Sequence, residues 1–169
     1  MQLKCTKLTK EQYDELIKDL RGKIFVLLMN IEALLPGNGQ LYETGFAVLK
    51  ETRYNLGIAS LYTHAIEQLG KLILVKSCKL VGKYYNLEPI KSDFYNHDKK
   101  IKTALNVLPK QCKDIFVKNS KNASIDLDLR LELLHSDIDA NGNVIIADAM
   151  DVDKIKQAIT WFKTEQYAY

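Results

Sequence analysis

Two groups of residues in this chain have the types and spacing that proton transfer on a phosphate ester requires. The first is Arg130-Leu-Glu-Leu-Leu-His135. Arginine presents a fixed fork of donors that matches two phosphate oxygens and stays charged at every relevant pH. Histidine exchanges a proton near neutrality and serves as either acid or base. Together they form a minimal kit for cleaving RNA without a metal. One group removes the 2′-hydroxyl proton, one protonates the leaving 5′-oxygen, and a cation steadies the pentacoordinate phosphate. Five helical residues turn about 500°, leaving the two side chains about 140° apart on an ideal helix. Convergence therefore requires the helix to end near His135, where Ser136-Asp-Ile-Asp-Ala-Asn-Gly comes next, or a second copy of the chain.

The second group is Ser60, His64, Glu67 and Lys71, at steps of four, three and four. On a helix these fall on one line and present a hydroxyl, an imidazole, a carboxylate and an amine. The ordinary alternative is a solvated face with a Glu67–Lys71 pair worth about 0.3–0.5 kcal/mol. A di-metal bundle would need several Glu and Glu-x-x-His units. This chain offers one reversed His64-x-x-Glu67, so no metal or other cofactor is expected.

The elements that must carry these residues are helices. Thr9 with Gln12 three residues on forms a capping-box pattern. Tyr13, Leu16, Ile17, Leu20, Ile24, Leu27, Leu28, Ile31, Leu34 and Leu35 then recur at three and four residues, up to the stop Pro36-Gly-Asn-Gly39. A shorter helix is expected over 41–52, and a third from about Tyr54 to Gly82 with Ile58, Leu61, Tyr62, Ala65, Leu69, Leu72 and Ile73 on its apolar face. A loop over 85–93 leads to a lysine-rich helix from His97 to Leu108, with Ile101, Leu105 and Leu108 inward. Pro109 restarts the chain into a short helix around Cys112, Ile115 and Phe116, and a polar loop covers 119–124. Another helix is expected over 125–135, followed by a turn at 139–143 that reads as a hairpin tip before Val144-Ile-Ile146. Asp151 is the expected cap of a last helix carrying Ile155, Ala158, Ile159 and Phe162. The expected fold is all-α: one up-and-down helical bundle over residues 1–169, with a short hairpin excursion before the C-terminal helix.

Composition agrees. The 169 residues are 47% hydrophobic and 27% charged, with only 8 Gly and 3 Pro, which is a globular balance and unlike an all-β domain. The net charge of +3 hides an uneven distribution. Residues 71–121 hold 12 lysines and 4 acids, a net of +8, and the remainder carries −5. Cys5, Cys78 and Cys112 are odd in number and far apart, which supports neither a disulfide framework nor a zinc knuckle. The first ten residues are polar, and no apolar run approaches the ~20 residues of a membrane span. A reduced, cytoplasmic protein without membrane contact is expected.

Three segments resemble AbiV-type abortive-infection proteins. Leu61-Tyr-Thr-His-Ala-Ile-Glu-Gln-Leu-Gly-Lys71 looks like that family's A-x-E-E-L-G-K helix. Phe94-Tyr-Asn-His-Asp-Lys-Lys100 resembles its F-x-D-H-x-x-K element, with Asn96 where Asp is usual. Arg130 to Asp139 resembles its R-x-x-x-L-Y-V-D segment, with His135 where the pattern has Tyr and with a Gly-containing turn and closing helix behind it. The three occur in the family's order over roughly 53–165. The AbiV-type family is similar to the wider HEPN group of all-helical domains in phage defence and toxin–antitoxin systems. Many of those are metal-independent endoribonucleases with an Arg-x(4–6)-His motif assembled across a homodimer. Leu131 departs from the polar residue that often follows the arginine there.

The resemblance implies a HEPN-like homodimer that binds or cleaves RNA in phage defence and shuts down growth. Arg130 and His135 would be catalytic. Ser60, His64, Glu67, Lys71, His97 and Lys100 would support the site or bind RNA. Either His97 or His135 could be the proton-transfer residue. The alternative is a non-catalytic module that binds a nucleotide or a phage or host protein, with the polar residues holding the bundle together. A phage-encoded activator or a host protein is a further expected partner on the first reading.

Overall fold

The computed structural model describes residues 5–35, 47–113, 137–138, 144–145 and 152–165. Thr9 opens helix α1 (Lys10–Leu34) with the full capping box: its hydroxyl accepts from the Gln12 N–H, and the Gln12 side chain accepts from the Thr9 N–H. The three-and-four periodicity then does what amphipathic spacing dictates, burying Leu20, Ile24, Leu28 and Ile31 along one stripe.

Helix α2 (Ala47–Lys76) is a single 30-residue element, so the expected break between 52 and 54 does not occur. It has no one apolar face, because it is covered on two sides. Its principal neighbours are α1 and the helix α4 (His97–Val107). Ile58, Tyr62, Ala65, Ile66, Leu69, Leu72 and Val75 are all buried. The Tyr13 hydroxyl at the start of α1 donates to the Val75 carbonyl at the end of α2, so the two helices run antiparallel. Helix α2 stops at Lys76, short of the expected Gly82.

Beyond Lys76, the expected helix end and loop give way to a small sheet. Strands β2 (Leu80–Val81) and β3 (Tyr84–Asn86) form a hairpin, and β1 (Lys7–Leu8) pairs antiparallel with the other edge of β3, giving the order β1-β3-β2. The two-residue loop has Gly82 at φ +64, the backbone that a type II′ turn demands at its first central position. Stacking of Tyr13 on Tyr85 at 3.8 Å fastens this sheet to α1.

A 3-10 turn (Glu88–Ile90) and helix α3 (Lys91–Tyr95) lead into α4, where Asn96 caps the helix by accepting from the Lys99 N–H. Helix α4 buries Ile101 and Ala104 and ends before Pro109, and α5 (Lys110–Lys113) buries Cys112. The Tyr62 hydroxyl donates to the Cys112 carbonyl at 2.8 Å, which ties α5 to α2. The expected hairpin near the end is present as β4 (Asp137–Ile138) paired antiparallel with β5 (Val144–Ile145). Helix α6 (Val152–Glu165) inserts Ile155, Ala158, Ile159 and Phe162 into the same core, and Lys163 pairs with Glu32 of α1 at 2.7 Å. The fold is thus a helical one with a small three-stranded sheet. The expected helix over 125–135, the loop at 119–124, Ile115, Phe116 and the Asp151 cap lie outside the described residues. No helix among the described residues is long and apolar enough to cross a membrane.

Helices α2 and α4 approach closely at Gly70. A Cβ there would overlap the Lys100 carbonyl oxygen and sit 2.6 Å from its carbon, so the backbones of α2 and α4 meet at a notch that only glycine leaves open. Gly70→Ala is expected to lower stability by about 2–3 kcal/mol, measured by urea denaturation, because the obstacle is backbone rather than a flexible side chain. A second expectation concerns Cys112, where burial pushes the thiol up from 9.0 to about 11. Above pH 9 the unfolded thiol ionises while the folded one keeps its proton, so its contribution is complete below pH 9 and is lost as pH rises through about 11. The wild type should lose on the order of 2 kcal/mol more across that interval than Cys112→Ala, whatever the offset from the cavity.

Candidate proton-transfer site on helices α2 and α4

Two i, i+3 pairs meet where α2 crosses α4: Glu67 with Gly70, and His97 with Lys100. The notch at Gly70 brings the Lys100 backbone against α2. Its side chain turns to Glu67, with Nζ 3.5 Å from Oε2. His97 stands at the first position of α4, where the Asn96 cap fixes the chain, and its Nδ1 lies 2.8 Å from the same Oε2. The Lys100 Nζ is also 3.4 Å from Nδ1, so the three groups form one cluster.

Burial separates their roles. The side chains of Glu67 and Lys100 are only 2% and 4% exposed, whereas that of His97 is 44% exposed. A carboxylate taken out of water demands a partner, and Lys100 supplies the compensating charge. The imidazole donates Nδ1–H to the carboxylate, which sets the tautomer and the ring plane. Nε2 is then the nitrogen left to exchange a proton; it bonds to none of the described residues. A buried anion holding a half-exposed imidazole is the geometry of an oriented general base or acid.

The four-residue line on α2 divides between two sides of the helix. Glu67 faces α4, so the expected solvated face with its Glu67–Lys71 pair is overturned: the carboxylate is buried and the cation beside it is Lys100. Lys71 is half-buried, with Nζ 5.4 Å from the centre of the Phe94 ring, a cation–π contact. Burial pushes its pKa below the ordinary value, and the charge of Lys100 pushes the same way, while Glu67 opposes. His64, one turn before Glu67, is turned toward α1 and lines an open groove of about 800 Å³ between α1 and α2 that Lys71 also reaches. Ser60 is half-buried and gives its carbonyl to the Thr63 hydroxyl, away from the cluster. Arg130 and His135, expected to be catalytic, lie outside the described residues. Among the described residues no group of three or more His, Cys, Asp or Glu is arranged to hold a metal ion.

Sequence reasoning places Glu67, His97 and Lys100 about one site through the resemblance, but does not give their direct contact. It misses Gly70 and Phe94 as the residues that set the helix crossing and seat Lys71. The matching i, i+3 spacings of Glu67/Gly70 and His97/Lys100 are the signal that could have found the cluster. No family model, curated protein or solved structure matches this chain.

The cluster makes a double-substitution prediction. Glu67→Gln leaves Lys100 buried without an anion and is expected to cost about 3 kcal/mol by chemical denaturation. Adding Lys100→Met should recover at least half of that loss, because the orphaned charge is gone; equal stability of the single and double variants would deny the coupling.

Proposed function

We propose that this protein is a cytoplasmic RNA-cleaving protein of phage defence, in which His97 is a proton-transfer residue oriented by Glu67. The observation that carries this reading is the 2.8 Å contact between a half-exposed imidazole and a buried carboxylate, braced by Lys100. The lysine-rich segment around it supports the choice of a polyanionic substrate, since phosphate neutralisation dominates affinity for nucleic acids.

The chemistry comes from those atoms. His97 Nε2 takes the 2′-hydroxyl proton as the 2′-oxygen attacks phosphorus. The bond to the 5′-oxygen breaks, giving a 2′,3′-cyclic phosphate and a 5′-hydroxyl that needs a proton. One imidazole cannot make both transfers in a concerted step, so the acid is His135 or a group of a second copy, and Arg130 is the phosphate ligand. Glu67 holds the ring through Nδ1 while Nε2 takes the proton, and Lys100 keeps the buried carboxylate from being an uncompensated charge.

The burial of Glu67 and Lys100 favours a second reading, in which the cluster only holds a binding module together. His97 separates the two, because its ring is half-exposed and its loss need not unfold the protein. With EDTA present, His97→Ala is expected to slow cleavage of a labelled RNA at least about 100-fold while leaving the melting temperature within a few degrees. Unchanged cleavage, or cleavage that disappears only together with the folded state, would remove His97 from the mechanism. His135→Ala and Arg130→Ala in the same assay decide whether those two residues share it.

A further inference from the structure

The hairpin of β2 and β3 leaves the body of the fold with apolar residues outward. Val81 is 62% exposed, more than any other large hydrophobic residue among those described, and Leu80 and Tyr84 beside it are 56% and 46% exposed. Register explains the arrangement. Successive strand residues face opposite sides of a sheet, and Tyr85 faces α1, where it stacks on Tyr13. Tyr84 therefore faces the other way, together with Val81, its partner across the hairpin. Lys79, two residues before Val81, shares that outer face, as does Lys7, whose partner Asn86 is two residues beyond Tyr84. Leu80 pairs with Tyr85 on the α1 side, but it is more than half exposed, so it projects past the helix on which Leu8 and Tyr85 pack. A Cβ on Gly82 in the turn would meet nothing within 4 Å, so the tip stands clear of the described residues. Charge is as one-sided as exposure. Residues 68–87 contain four lysines and no acid, and Lys76, Lys79 and Lys83 are exposed at the hairpin and its approach. The next acid along the chain, Glu88, pairs with Lys91 at 3.7 Å.

We infer that this hairpin anchors the protein to an anionic membrane surface, with Leu80, Val81 and Tyr84 entering the headgroup–acyl boundary and Lys79 and Lys83 on the lipid phosphates. A convex tip encloses no small ligand, whereas a bilayer interface yields to its shape. Leu80 and Val81 gain by leaving water and offer no ring on which a base could stack, which favours lipid over a nucleic acid. Tyr84 suits the boundary because its ring is apolar and its hydroxyl stays among polar groups. Each lysine close to an anionic leaflet adds attraction, and the long stems let the ammonium groups reach headgroups while the tip descends. Apolar insertion and electrostatic attraction are each weak, and the two together give reversible binding. Such an anchor needs no spanning helix, so it revises the expectation of a protein without membrane contact, which rested on the lack of one. It stands apart from the RNA reading, since it uses no residue of the Glu67, His97 and Lys100 cluster.

Co-sedimentation of the full chain with vesicles tests it, using phosphatidylcholine alone and phosphatidylcholine with about one-third phosphatidylserine. The protein is expected to bind the anionic vesicles at least about tenfold more tightly than the neutral ones, and to be released as salt rises toward about 0.5 M. Leu80→Thr combined with Val81→Thr keeps strand-forming residues at exposed positions. It should weaken binding to the anionic vesicles at least about tenfold with the melting temperature retained. Lys79→Gln combined with Lys83→Gln should weaken the same binding by about 10- to 30-fold. Tyr84→Trp adds a reporter at the tip. Its emission should shift to the blue on anionic vesicles, whereas that of the wild type, whose single tryptophan is Trp161, should not. No sedimentation with anionic vesicles, sedimentation unaltered by the two threonine substitutions, or an unshifted emission in Tyr84→Trp overturns the inference. An emission shift in Tyr84→Trp on a short oligouridylate, with none on vesicles, assigns the tip to nucleic acid and likewise overturns it.

Discussion

Contact between the backbones of α2 and α4 at Gly70 governs the rest of the arrangement. Two helices that approach this closely exclude water from the side chains beside the crossing, and here those side chains are Glu67 and Lys100. Each would be costly alone in that position; together they offset much of the cost. The contact also fixes which side chains can meet. Glu67 lies one turn before Gly70, and His97 one turn before Lys100, so the register that seats Lys100 on the notch also brings Nδ1 to the carboxylate. A buried ion pair is weak evidence for stability, but a pair that tolerates only one register gives the half-exposed imidazole a defined position.

The same crossing explains why most of the described side chains of α2 are buried, with His64 left exposed. A helix packed on one neighbour shows a stripe, whereas one packed between two neighbours buries residues on both flanks. Thr63, Glu67 and Gln68 are buried for that reason and not because they are apolar. The polar line along α2 therefore divides by neighbour: Glu67 belongs to the α4 side, His64 to the α1 side, and Lys71 reaches both.

Local chemistry is legible in the sequence, and partner choice is not. The Thr9–Gln12 box, the α1 stripe, the start of α4 and the core positions of α6 depend on residues within one or two turns, and spacing reveals all of them. The hairpin at Gly82 escapes because strands of two or three residues carry no measurable period, and β3 needs β1 from the far end of the chain to complete its pairing. Glu67 looks like half of an i, i+4 pair with Lys71 because a buried carboxylate and a solvated one have the same sequence neighbours. Thirty residues separate it from His97, and only the tertiary crossing joins them.

Placement also changes the meaning of the +8 between residues 71 and 121. That total counts Lys100, which is buried and matched by Glu67 from outside the segment, whereas the pairs of Lys102 with Asp98 and of Lys91 with Glu88 are already subtracted in it. The net number therefore overstates, by the Lys100 charge, the field that a distant polyanion would feel, since charges paired within a few ångströms largely cancel beyond a Debye length. Lys71 is different in kind. It is half-buried, its charge is held by the Phe94 ring and disfavoured by both burial and Lys100, and it borders the groove on one side and the α3–α4 junction on the other. A cation so placed gains more from a phosphate at short range than an exposed lysine does, because less water must be displaced to reach it. A phosphate ligand is thus favoured more by this one lysine between the groove and His97 than by the sum of the lysines around it.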